Sequence, residues 1–200
     1  LLNEHVGALD RRRFGWWNRT IHCHQEMDMA TQVRPRIATE DRENNLDGSP
    51  RVSRDELVTL LNDDLAREYQ AIVAYVVYSQ TLKGAAYMSI AGELEKHASE
   101  ELSHALIIAK QIDYLGGTPT VTPKPVKTSD QPEAMLQFDL DNENETVRNY
   151  RDRVRQCEAL GEFAMAEQIR QILVDEQEHQ IDLATALGVD VPESSLGRRS

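Results

Sequence analysis

Two tetrapeptides decide the fold: Glu101-Leu-Ser-His104, inside SEELSHALIIAK (residues 99–110), and Glu176-Gln-Glu-His179, inside LVDEQEHQIDL (173–183). In each, a carboxylate and an imidazole stand three residues apart, so a helix places them on one face. Each pair sits among Leu, Ile and Val, where a charged side chain is out of place unless it meets a partner. A single such pair in a glutamate-rich chain would be surface decoration. Two of them, embedded alike, call for a common explanation.

Each motif has a further glutamate at the same distance before it. Glu68 precedes Glu101 by 33 residues, and Glu143 precedes Glu176 by 33. Glu68 lies on the stripe of Leu61, Leu65 and Ile72, which recurs at helical spacing. Each half of the chain therefore offers Glu and then Glu-x-x-His on two successive helices. Converging in one core, these residues supply four carboxylates and two imidazoles. That donor set suits two Fe or Mn ions if some carboxylates bridge, and four negative charges balance two divalent cations. Buried carboxylates lacking such ions would be costly, so raised glutamate pKa values or loosened helices are expected in the metal-free protein.

The surrounding pattern is all-helical. Ser53-Arg-Asp-Glu56 is a capping box that opens a helix over about 53–82. A second helix spans about 85–115 and stops at Gly116-Gly117. The segment TPTVTPKPVKTSD (118–130) carries three prolines, excludes helix, and is long enough to carry the chain from one end of a bundle to the other. Asp130 then reads as the cap of a third helix over about 131–159, with Pro132 and Glu133 in its first turn. A fourth spans about 162–187 and ends at Gly188. The sequence predicts an all-α four-helix bundle over 51–190, connected short–long–short. Residues 1–50 lack a sustained apolar period and read as a disordered or poorly ordered N-terminal extension; 191–200 read as a C-terminal tail.

Composition narrows the chemistry. The 200 residues are 40% hydrophobic and 28% charged, with a formal net charge of −12. Such a chain suits cations and is a poor binder of polyanions. Its two cysteines, Cys23 and Cys157, form no Cys-x-x-Cys, which argues against a disulfide framework or a thiolate zinc site. No apolar run is long enough for a membrane span, and no secretory signal is read at the start, so a cytoplasmic location is expected. His22-Cys23-His24 is read as an incidental cluster rather than a metal site.

Residues 53–190 resemble the ferritin-like superfamily, and within it bacterioferritin, through Glu68, Glu101-Leu-Ser-His104, Glu143 and Asp175-Glu176-Gln-Glu-His179. The resemblance implies a di-iron carboxylate site in a bundle with a long crossover between helices 2 and 3. Glu101 and Glu176 would bridge the irons; Glu68 with His104, and Glu143 with His179, would be terminal ligands. Tyr75, seven residues after Glu68, falls where the family keeps a tyrosine beside the site and is the implied catalytic side chain. Leu102 stands where bacterioferritin has its haem-ligating Met, so no haem of that kind is expected. The implied function is oxidation of Fe(II) by O2 or H2O2 and storage of Fe(III) mineral in a homo-oligomeric shell. With little chain after Gly188 for a fifth helix, a 12-mer is favoured over a 24-mer.

Other readings stay open. The same ligands fit a non-storage di-metal peroxidase or oxidase, or a Mn catalase. A DNA-protecting, Dps-like role would rest on Arg11-Arg12-Arg13 and is disfavoured by acids nearby. Glu100 and Asp175, each one residue before a bridging glutamate, read either as guides for entering iron or as second-layer carboxylates. His97 reads as structural or as part of an iron route. Tyr69, Tyr78 and Tyr87 read as packing or interface groups.

Overall fold

The structure is a computed structural model that describes residues 52–191. The expectations for the 1–50 extension, for His22-Cys23-His24 and, Val191 apart, for the tail lie outside the described residues. Within them are four long helices and no strand: α1 (Arg54–Thr81), α2 (Met88–Tyr114), α3 (Pro132–Ala159) and α4 (Phe163–Leu187).

The capping box forms as the sequence dictates. Ser53 Oγ accepts from the Glu56 amide at 3.2 Å, and the Glu56 carboxylate accepts from the Ser53 amide at 2.7 Å. Two starts differ from expectation. The second helix does not begin at 85: Ala85–Tyr87 make a 3-10 turn behind Gly84, where φ is +113° and glycine is favoured. The Tyr87 hydroxyl is drawn to Glu133 on α3, a tertiary contact that local propensity does not encode. The cap of α3 is Gln131 rather than Asp130; its side chain makes no capping hydrogen bond, and Pro132 begins the helix without an N–H to satisfy.

The crossover runs along α1. Asn62 Oδ1 accepts from the Thr120 amide at 2.6 Å, the Ala66 carbonyl accepts from the Lys124 amide at 2.9 Å, and Gln70 Nε2 donates to the Pro125 carbonyl at 2.6 Å. Further on, the Tyr78 hydroxyl donates to the Lys127 carbonyl. As the loop number rises, so does the α1 number. The chain is thus carried from one end of the bundle to the other, and α3 starts beside the C-terminal end of α1, antiparallel to it.

Two apolar clusters fill the ends. One gathers Leu57, Leu61, Leu65, Ile108, Ile112 and Ile169; the other gathers Tyr78, Leu94, Leu136, Leu140 and Leu183. Between them lies a polar layer with Glu68, Glu101, Glu143 and Glu176, each at most 2% exposed. That layer holds the site. No helix among the described residues is long and apolar enough to cross a membrane.

Candidate metal centre

Each helix brings one glutamate to the central layer, and the two Glu-x-x-His motifs add their imidazoles. The donor atoms fall into two overlapping tetrads, Glu68/Glu101/His104/Glu176 and Glu101/Glu143/Glu176/His179, each with its atoms within 4.8 Å of one another. Glu101 and Glu176 belong to both. The sharing shows in the distances. His104 Nδ1 lies 3.2 Å from both Glu101 and Glu176 and 3.5 Å from Glu68; His179 Nδ1 lies 3.1 Å from Glu101 and 3.5 Å from Glu176. All six sequence-nominated donors are therefore brought together. The neighbouring acids that made Glu143 hard to single out are placed elsewhere: Asp141 is exposed, and Glu145 pairs with Arg67.

The protein does not satisfy this cluster by itself. Glu68 Oε2, Glu101 Oε1, Glu143 Oε2, both Glu176 oxygens and His179 Nδ1 are buried without a hydrogen-bond partner. His179 Nδ1 approaches Glu101 Oε1 without the direction a hydrogen bond requires. Buried polar atoms are nearly always paired, so an orphaned set this dense fits cations at its centre. Hard carboxylate oxygens with two imidazoles suit Fe or Mn.

Outside the tetrads a second layer aims the imidazoles. His104 Nε2 faces Asp175 Oδ2 at 3.1 Å, and His179 Nε2 faces Glu100 Oε2 at 2.9 Å. Of the two readings of Glu100 and Asp175, the geometry thus shows the orienting one: each pins the imidazole of the opposite motif and leaves its Nδ1 inward. The tyrosines cross over likewise. The Tyr75 hydroxyl donates to Glu143, and the Tyr150 hydroxyl donates to Glu68. Tyr150 was not singled out from the sequence, though its signal is there: it follows Glu143 by seven residues, as Tyr75 follows Glu68. Tyr78 is buried in the core as expected of a packing group.

The metal-free electrostatics are split. Burial, reinforced by Glu101 and Glu176, raises the Glu68 pKa well above normal; burial and the same two neighbours do so for Glu143. Burial would also raise Glu101 and Glu176, but the close imidazoles of His104 and His179 outweigh it and hold both below the ordinary value. The expected rise is therefore found in two of the four glutamates. Burial opposes charge on the imidazoles, yet the surrounding carboxylates raise His104 strongly and push His179 up to about 12.

The chain is similar to known proteins of the same architecture. The model of the ferritin-like domain family matches residues 58–190. A bacterioferritin of Brucella melitensis is 26% identical over 148 residues, covering 70% of this chain and 89% of the relative. Among solved structures, a ferritin-like diiron-carboxylate protein of Bacillus anthracis is 34% identical, with a TM-score of 0.65 over 67% of this chain and 96% of that one. The bacterioferritin-related protein of Bacteroides fragilis, described as a dodecameric thioferritin, is 26% identical with a TM-score of 0.64, covering 69% and 88%.

Proposed function

The chain belongs to the ferritin family of ferritin-like domains, and on that premise we propose that it binds two Fe(II) ions in the central layer, oxidises them, and stores the product as Fe(III) mineral. The observation that carries this reading is the sharing of Glu101 and Glu176 between two donor tetrads in which most oxygens lack any protein partner. Shared carboxylates hold two ions close enough to act together on one oxidant molecule. Glu101 and Glu176 would be shared between the two ions, and Glu68 with His104, and Glu143 with His179, would complete the two ends.

With O2, two Fe(II) give one electron each and two protons are taken up, leaving two Fe(III) and one H2O2. With H2O2 the same two electrons and two protons leave two waters. The protein's part is positional. Asp175 and Glu100 fix the imidazoles, and Tyr150 and Tyr75 fix Glu68 and Glu143 through their hydroxyls. Burial first, and then the facing glutamates, hold both phenols protonated, so each remains a donor. Tyr75 also lies edge-on to His179, 6.0 Å between ring centres, and is the catalytic side chain we assign, acting through its hold on Glu143. Leu102 offers no thioether for haem.

The proposed assembly is a homo-oligomeric shell, with a 12-mer favoured, in the cytoplasm. An apolar strip on the outer face of α1 and α2 supports association with further copies: Val73, Val76, Leu102 and Leu106 are 44–66% exposed. The test is aerobic addition of Fe(II) to the metal-free protein, followed by size-exclusion chromatography with iron analysis. Storage predicts iron far beyond two per chain, eluting with a large discrete oligomer. Iron that stops near two per chain on a small species would leave the di-metal site standing and exclude storage, favouring the peroxidase or catalase reading.

A further inference from the structure

Among the described residues, a further cluster of side chains able to ligate a metal lies outside the central layer. Glu93 and His97 on α2 and Asp182 on α4 present donor atoms within 4.8 Å of one another. They line an open cleft of about 140 Å³, roomy enough for a cation with several waters, where five carboxylates meet Lys96 and the imidazoles of His97 and His179. His97 is only 3% exposed; its Nε2 faces Asp182 Oδ2 at 3.3 Å, and its Nδ1 is buried with no partner. The His97 ring stacks on His179, 4.0 Å between centres. His97, Glu100 and His179 form another set of donors within the same reach.

The internal repeat gives this cluster its meaning. The centre is duplicated at an offset of 75 residues: Glu68 and Glu143, Tyr75 and Tyr150, Glu101 and Glu176, His104 and His179. The same offset relates Glu93, His97 and Asp182 to Gln168, Ile172 and Ile107. There Ile172 is buried in an apolar cluster, and Ile107 packs against that cluster. Packing alone is thus met by isoleucine at this register. The His97 half instead carries a ligand set that opens to solvent.

We propose that Glu93, His97 and Asp182 hold a third divalent cation, of the Fe(II), Mn(II) or Zn(II) class, at the mouth of this cleft. Two carboxylates and an imidazole suit such ions, with waters completing the shell. Glu93 now engages Lys96 at 2.8 Å, an exposed pair that a divalent ion readily displaces. The site's use as a station for iron on its way to the central pair rests on the proposed function; the site itself does not.

The test is anomalous diffraction from crystals of the full chain soaked in Zn(II), wild type against Asp182→Asn. The Asp182 side chain is 40% exposed, so its replacement leaves the core intact. The wild type is expected to show a peak between His97 and Asp182 that Asp182→Asn loses while central peaks remain. Fe(II) oxidation by Asp182→Asn at low iron should then be severalfold slower, with the same final iron content. A wild type with filled central positions and nothing at His97 overturns the proposal, as does a peak unchanged in Asp182→Asn. A peak at His97 with empty central positions upholds this site and overturns the proposed function instead.

Discussion

At the scale of residues, the centre is a store of protons as much as of ligands. In the metal-free protein burial raises the pKa values of Glu68 and Glu143, and the surrounding carboxylates raise those of His104 and His179, whereas Glu101 and Glu176 are held below the ordinary value. Filling with two divalent ions balances four carboxylates and needs both imidazoles neutral. Binding should therefore release protons. The sign follows: groups with raised pKa hold protons the metal must displace, so affinity climbs as pH rises. Anaerobic Mn(II) titration in buffers of different ionisation enthalpy measures the release. A value near zero would mean that the four shifted groups are not the ligands. This level was only partly legible in the sequence. The spacing of Glu and Glu-x-x-His nominated six donors, but the bonds from the imidazoles to Asp175 and Glu100 cross between helices, and no spacing along one chain reports them.

At the scale of elements, the helices follow from their stripes and stops, and the exceptions have tertiary causes. The 3-10 start before α2 follows Gly84 and the reach of Tyr87 to Glu133. At the other end of α2, Gly117 is required by proximity: a Cβ there would lie 2.4 Å from Val58 Cγ1 and 3.1 Å from Ile112 Cγ2. Val58 is β-branched and cannot swing aside freely. Gly117→Ala should destabilise the protein by about 1–3 kcal/mol through overpacking. Urea denaturation of the metal-free protein checks this, and an unchanged midpoint would show that the α1–α2 contact yields easily. The sequence marks Gly116-Gly117 as a helix stop. It does not show that the second glycine also admits α1, because that depends on where Val58 arrives.

At the scale of the whole molecule, the fold is two helical hairpins related by an offset of 75 residues, closed over a polar layer with an apolar cluster at each end. The crossover makes the arrangement possible by returning the chain along α1. This much was legible, because proline excludes helix over 118–130 and the ligand motifs repeat. The departures from the repeat were less so. Tyr150 follows it and was overlooked; His97 and Asp182 break it, and their pairing appears only once α2 and α4 are packed. Asp139, the repeat mate of Asp64, shows the same asymmetry. Asp64 meets Arg153 at 2.6 Å, whereas Asp139 Oδ2 has no partner, and burial, then Glu101, raises its pKa well above normal.

The central claim is that two ions share Glu101 and Glu176. Electron paramagnetic resonance of the protein loaded anaerobically with Mn(II) tests it most directly, since Mn(II) neither oxidises nor mineralises under those conditions. At two Mn(II) per chain the account predicts a spin-coupled spectrum, with the pattern of isolated ions returning in Glu101→Ala. Isolated Mn(II) at every loading of the wild type would contradict it.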